Sequence, residues 1–206
     1  HTRSSAASDV YKRQAQGSAL VVSNHLNIAD GIFESASDYH DVTIALGATL
    51  ELTGDITVSG DWNNNGTFIH NNHNVTFDGS TAQSIYGSNN TFYNLIINGG
   101  ATKTLDNVIN VDGDLTVTAA STILDVNSRT LDVNGTSTIS SAGTVTISTG
   151  VFDADGIIDA TGGYITFTGS GFLNLSNTVT DLGTFTKSTS TAVSYTHLRA
   201  HETIDD

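Results

Sequence analysis

The sequence predicts an all-β chain wound as a β-solenoid, and three observations carry that expectation. Apolar and polar residues alternate with period two from 15 to 192, in short runs bounded by Gly, Asn and Asp, with no convincing helical period. A glycine-centred frame recurs irregularly about every 20 residues. The chain is 37% hydrophobic but only 14% charged, so its polarity comes from Thr, Ser, Asn and Gly, which suit solvated strands and turns better than helices or a disordered polyelectrolyte.

Candidate strands are short and many: 42–46, 50–52, 56–58, 75–77, 95–97, 115–117, 131–133, 145–147 and 165–167. Side chains alternate faces along a strand, so LELTGDITV (50–58) and NVDGDLTV (110–117) each put apolar members on one side and Thr and Asp on the other. Aligned on glycine, LELTGDITV, VDGDLTV and LDVNGTSTI place Gly54, Gly113 and Gly135 in one slot, the last two 22 residues apart. A second pattern pairs VTFDG (75–79) with ITFTG (165–169). A third is Gly-Thr-Phe at 66–68 and 183–185, with variants beginning at Gly31 and Gly150.

One coil of such strands cannot bury its apolar face alone, whereas stacked coils form a continuous core. Gly and Asn tolerate positive φ, which puts Asn63, Asn64, Asn65, Asn71, Asn72, Asn89 and Asn90 at expected corners. The lack of Pro fits strands hydrogen-bonded on both edges. The rival fold is an antiparallel β-sandwich, for which Asp112-Gly113 and Asn134-Gly135 are suitable hairpin turns.

Composition also excludes function classes. Without Cys the chain is no disulfide scaffold, thiolate zinc module or thiol enzyme. No run approaches the roughly 18 to 20 consecutive apolar residues of a membrane helix. A formal net charge of -14 argues against a nucleic-acid partner.

The two ends read differently from the interior. SSAASDVYKRQ (4–14) and VSYTHLRAHET (193–203) resemble translated sequencing-library adaptors, and four of the seven basic residues, Arg3, Lys12, Arg13 and Arg199, fall in these flanks. The expectation is that 1–14 and 193–206 are adaptor-derived and that 15–192 is a single solenoid repeat region truncated at both ends. That interior keeps 17 acidic residues against Lys103, Arg129 and Lys187, so the acidity belongs to it entirely.

GDWNNNGTF (60–68), NVTFDGSTAQSIYGSNNTFYNLIIN (74–98) and NVDGDLTVT (110–118) resemble the repeat series of large surface or secreted, adhesin-like proteins of Bacteroidetes-type bacteria. The most specific parts are STAQ-x-I-x-G and TFYNL-x-IN. The resemblance implies a right-handed parallel β-helix, a cell-surface or extracellular address, and a weight-bearing or adhesive role without shared catalytic residues.

Several residues invite a chemical reading. Asp153-x-Asp155-Gly156 with Asp159 has the opening of a calcium loop but lacks the closing Glu, which favours a solvated turn. His70 and His73 have metal-ligand spacing without a third ligand nearby, and His25 and His40 look isolated. Asp106, Asp112, Asp125 and Asp132 would have to converge on a groove for polysaccharide cleavage, and no Gly-x-Ser-x-Gly elbow is present. Trp62, Tyr86, Phe92 and Tyr93 are candidates for an aromatic platform that stacks on sugar rings. Thr-x-Thr pairs at 116/118, 136/138, 144/146, 166/168 and 184/186 suggest an ordered hydroxyl array, although Thr is also a common solvent-face strand residue. The expectation is a non-catalytic structural or adhesive segment with no metal or cofactor, an extracellular glycan or cell-surface polymer as its possible partner, and a carbohydrate-binding or carbohydrate-degrading β-helix module as the alternative.

Overall fold

The computed structural model describes residues 25–29, 31–88 and 90–187, so the adaptor-like ends, 1–14 and 193–206, lie outside the described residues. Those described form 24 strands and no helix. The first coil holds β1 (His25–Ile28) and β2 (Ile32–Ser35) and closes where Tyr39 bridges Val58. The second holds β3 (Asp41–Ile44), β4 (Thr49–Leu52) and β5 (Ile56–Val58). Next come β6 (Trp62–Asn64), β7 (Thr67–Ile69) and β8 (Asn74–Phe77), then β9 (Gln83–Gly87), β10 (Asn90–Phe92) and β11 (Asn94–Ile97). These are followed by β12 (Thr102–Leu105), β13 (Ile109–Val111) and β14 (Leu115–Val117), and by β15 (Ile123–Asn127), β16 (Thr130–Val133) and β17 (Ser137–Ile139). The last coils hold β18 (Thr144–Ile147), β19 (Val151–Ala154) and β20 (Ile158–Asp159), then β21 (Tyr164–Phe167), β22 (Phe172–Leu175) and β23 (Val179–Asp181), and finally β24 (Thr184–Thr186).

Every strand pair among these residues is parallel, which rules out the antiparallel sandwich. One face is a nine-stranded sheet from β1 to β24 taking the first strand of each coil, and a second is a seven-stranded sheet from β5 to β23. The third is split into a three-stranded piece, β2-β4-β7, and a five-stranded piece, β10-β13-β16-β19-β22. Val42 pairs with Trp62, Trp62 with Ile85 and Ile85 with Leu105, so a coil takes 20 to 23 residues, whereas the first step, His25 to Asp41, takes 16.

All nine sequence-predicted strands form, because their alternation matches the pleat: Val42, Ile44, Leu50, Leu52, Ile56 and Val58 point inward and are essentially fully buried. Leu46 is a correction: it leaves the strand for the turn and is 88% exposed. Inward apolar columns run through four or five successive coils, as in Ile56, Val75, Leu95 and Leu115, or Val58, Phe77, Ile97, Val117 and Ile139. Where the third face is interrupted, Phe68 of β7 and Phe92 of β10 pack at 5.6 Å between ring centroids, and Trp62 meets both.

The aligned glycine slot is a stacked corner. Gly135 N–H donates to Gly113 O at 2.9 Å, and Gly113 N–H donates to Tyr93 O at 2.8 Å. A Cβ on Gly156 would lie 2.0 Å from Gly135 O, and one on Gly135 would lie 2.3 Å from Gly113 O. The slot therefore demands glycine through close backbone approach, since these residues do not have positive φ. Left-handed backbone occurs instead at the turn entering the nine-stranded sheet, at Gly99, Gly100 and Ala101, then at Ala119, Ser121, Ser141 and Ala142. Asn71 and Asn72 take positive φ as expected, but Asn63 and Asn64 lie within β6 and Asn90 begins β10, while Asn89 lies outside the described residues. VTFDG and ITFTG share a strand-to-turn pattern but occupy different faces, on β8 and β21.

The interior also contains polar groups, and three of them, Gln83, Lys103 and Thr122, are tied to corners. Gln83 donates from Nε2 to Val58 O at 3.0 Å and to Gly60 O, while its Oε1 accepts the Gly79 N–H at 2.9 Å. Lys103, fully buried, donates from Nζ to Gly79 O at 2.7 Å and to Gly100 O. Thr122 Oγ1 accepts from Gly100 N–H at 2.9 Å. Bonds of this kind offset the cost of burying these groups, whereas the buried Ser137 hydroxyl has no hydrogen-bond partner among the described residues.

Candidate functional site

The aromatic residues separate into core and surface. Trp62 is fully buried, lying in the inward column between Val42 and Ile85, with its indole N–H donating to Asn90 Oδ1 at 2.9 Å. Phe92 is buried too. Neither ring is available to a sugar, which corrects the platform expected from sequence: alternation put both on the inward side of their strands. Tyr93 sits half-buried and stacks on His70 at 5.7 Å and 27°. Tyr86 alone of the four is exposed, at 38%, and it borders a shallow open depression with Asp61, Asn65, Ser84, Asp106 and Asn107. An aromatic edge among amides, hydroxyls and carboxylates has the chemistry to contact a polyol.

The four carboxylates singled out in the sequence do not share one face. Asp106 borders the Tyr86 depression and Asp125 accepts the Asn127 N–H at 2.9 Å, both beside the nine-stranded sheet. Asp132 lies on the five-stranded sheet, paired with Asp153, so the predicted set of Asp106, Asp112, Asp125 and Asp132 divides between faces. Partial burial first, then the carboxylates of Asp153, Asp155 and Asp112, hold the Asp132 carboxyl above its ordinary range. The calcium-like segment is also split: Asp153 lies on β19, whereas Asp159 lies on β20 in another sheet and accepts from Thr161 N–H at 3.0 Å and Thr161 Oγ1 at 2.6 Å. Those two bonds set the Asp159 carboxyl below its usual value.

Other aspartates link successive coils. Asp55 accepts from Asn74 N–H and Nδ2 at 2.9 and 2.8 Å, and Asn74 Oδ1 accepts from Asn94 Nδ2 at 2.8 Å. Asn94 Oδ1 then accepts the Asp114 N–H at 2.8 Å, and Asp114 Oδ1 accepts the Thr136 N–H at 2.7 Å. This five-coil ladder begins at Asp55 and runs through Asp114, which the aligned repeats had placed in the same slot. A shorter ladder joins Asp41, Asp61 and Ser84: Asp41 Oδ1 accepts the Asp61 N–H at 2.7 Å, and Asp61 Oδ1 accepts the Ser84 N–H at 2.8 Å.

His70 and His73 diverge despite their spacing. His70 Nε2 lies 3.4 Å from Asp112 Oδ2, and His73 Nδ1 lies 3.6 Å from Asp55 Oδ1. The pair that looked isolated in sequence is the one that converges. His25 Nδ1 is 2.5 Å from Asp41 Oδ2, His40 Nδ1 is 3.0 Å from Asp41 Oδ1, and the two imidazole centroids are 5.1 Å apart. Burial would raise the Asp41 carboxyl, but the Asp61 amide and the His40 and His25 imidazoles outweigh it and hold the group below its ordinary value. Sequence reasoning missed this cluster because the first coil is shorter than the others, so the common period does not align His25 with Asp41.

The threonines form no single lattice. Thr146, Thr166 and Thr186 align on the nine-stranded sheet, continued by Asp125, while Thr144 is succeeded by Tyr164. Thr57, Thr76, Thr116 and Thr138 align on another sheet, interrupted by Ile96.

Comparison of the chain with protein-family models, curated proteins and solved structures finds no match in any of the three.

Proposed function

We propose that the chain is a non-catalytic structural or adhesive segment of a bacterial cell-surface or secreted protein, working as a spacer. The observation that supports this reading most directly is where its polar side chains are used. Asp55, Asn74, Asn94 and Asp114 bond the next coil in succession, and Gln83, Lys103 and Thr122 bond corner backbone, so polar side chains between residues 55 and 136 hold coil to coil. Length in such a fold is additive. Neighbouring strands in a ladder lie about 4.8 Å apart, so nine stacked strands extend about 38 Å, and each further repeat would lengthen the body by one strand spacing. The acidic exterior disfavours self-association by like-charge repulsion.

The Tyr86 depression favours a second reading, a carbohydrate-binding module. A polysaccharide binding screen with the full chain and its Tyr86→Ala variant separates the two. The spacer reading expects no saturable binding to any glycan; saturable binding lost in Tyr86→Ala would replace it with the glycan reading.

A further inference from the structure

We infer that His25, His40 and Asp41 form a divalent transition-metal site that clips the first coil to the second. His25 opens β1 and Asp41 opens β3, and the two residues are direct partners in the parallel register. His40 precedes Asp41 at the corner. One imidazole therefore comes from one coil, and the second imidazole with the carboxylate comes from the next. One ring nitrogen of each His and a carboxylate oxygen of Asp41 all lie within 4.8 Å of one another. Tetrahedral donors at about 2.0 to 2.2 Å from a common ion stand roughly 3.4 Å apart, so the His25 and His40 contacts to Asp41, at 2.5 and 3.0 Å, open by less than about 1 Å to admit the ion between them.

The surroundings are shaped to the cluster. Gly60 packs beneath it, and a Cβ there would stand 2.0 Å from Asp41 Oδ1 and 2.4 Å from His40 Nδ1, so glycine leaves the space in which the two side chains meet. Gly60 N–H also donates to His40 O at 2.5 Å, which fixes the backbone that carries the imidazole. The Asp61 amide on Asp41 Oδ1 orients the carboxylate from outside, as outer partners of metal ligands do, and leaves Oδ2 toward His25.

The donor set selects the ion. Two imidazoles and one carboxylate suit Zn²⁺, with Ni²⁺ or Cu²⁺ as alternatives, whereas Ca²⁺ and Mg²⁺ require oxygen-rich shells. Three protein ligands leave a fourth position for water or an external donor. Both rings are about half exposed, at 53% and 52%, so the site is open to an ion from solution. Binding takes the neutral imidazoles and therefore competes with protons.

The test is calorimetric titration of the full chain with Zn²⁺, beside His25→Gln, His40→Gln and the His25→Gln/His40→Gln double variant, with Co²⁺ absorption as a spectroscopic report of coordination. The expected result is one additional equivalent bound by the unaltered chain relative to the double variant, at least about tenfold weakening in each single variant, and a Zn²⁺-dependent rise in melting temperature that the double variant lacks. His70→Gln/His73→Gln leaves this equivalent in place. Because both rings are surface side chains, circular dichroism establishes folding of each variant before titration. Equal Zn²⁺ stoichiometry in the chain and the double variant, or no binding by either, overturns the site.

Discussion

Lys103 and Gln83, direct neighbours in the nine-stranded sheet, hold the two polar ends of one residue: Gln83 Oε1 accepts the Gly79 N–H, and Lys103 Nζ donates to the Gly79 carbonyl. Both side chains point into the solenoid at a position that elsewhere in the column is apolar, as at Leu124 and Val145. Their loop runs from Phe77 to Gln83 in the 23-residue coil, and side chains take up both the N–H and the carbonyl of Gly79 within it.

Stability should rise with pH through the range in which Lys103 titrates. Burial lowers the ammonium to about 8 from 10.5, with the Asp78 carboxylate opposing the shift. Between those values the unfolded chain carries a proton on this residue that the native chain has released. The unfolded state then binds more protons, so the native state gains stability as pH increases, by up to about 3 kcal/mol. Below pH 8 both states are protonated and the burial cost is felt in full. Urea midpoints measured from neutral to alkaline pH for the chain and for Lys103→Met check this: the midpoint of the chain should climb relative to that of Lys103→Met across the window, and parallel curves would show the ammonium to be hydrated.

Replacing Gln83 by Met keeps the volume but removes the side-chain partner of the Gly79 N–H and of the Gly60 carbonyl, while the Val58 carbonyl keeps the Asp78 N–H at 3.1 Å. The expected loss is about 2 kcal/mol or more. Amide exchange localises it. Gly79 N–H should exchange much faster in Gln83→Met while the ladder amides of β14 and β17 change little, and uniform exchange across the coils would contradict the corner assignment.

The legible part of this fold was the part governed by alternation. Val42, Leu50, Ile56, Val75, Leu95 and Leu115 were assigned to strands because an apolar residue two positions from another has one physical outcome in a β-run, burial on a common face. Three kinds of feature escaped. Short strands made of polar residues, such as β6 with Asn63 and Asn64, carry no apolar rhythm and read as turns. Gly113 and Gly135 were placed in the right slot for an incomplete reason, since the need there is contact distance and not positive φ. The His25, His40 and Asp41 cluster depends on a 16-residue step that the repeat period does not contain. Trp62 illustrates a fourth difficulty: an indole reads alike as a sugar platform or a core anchor until its strand parity is known, and pairing with Val42 decides it.

Gly156→Ala should be among the most damaging single-methyl changes in the chain. Its Cβ would meet the Gly135 carbonyl at 2.0 Å, and backbone cannot rotate away as a side chain does. The coils would have to separate at that corner, an overpacking cost of about 3 kcal/mol. Gly31→Ala is the control, because its φ of 78° imposes strain while the added Cβ would meet nothing within 4 Å; about 1 kcal/mol is expected there. Thermal melts should rank Gly156→Ala well below Gly31→Ala, and the reverse order would mean that the stacked corner is looser than its carbonyl distances imply.

Trp62 and Tyr86 should respond oppositely to substitution, since one faces the core and the other the solvent. Trp62→Phe preserves contact with Phe68 and Phe92 in part but removes the donor to Asn90 Oδ1, leaving a buried amide oxygen short of its partner. A loss of about 1 to 3 kcal/mol follows from that oxygen alone, and the smaller ring adds a packing deficit. Tyr86→Ala, on the outward column, should change stability by no more than about 0.5 kcal/mol. The chain has a single Trp, so its fluorescence reports one environment. Emission should be blue-shifted and resistant to aqueous quenchers in the native state, and it should stay unchanged when polysaccharide is added even if the Tyr86 depression takes up a sugar. Ready quenching of the native emission would place the indole at the surface and restore Trp62 as a sugar-facing residue.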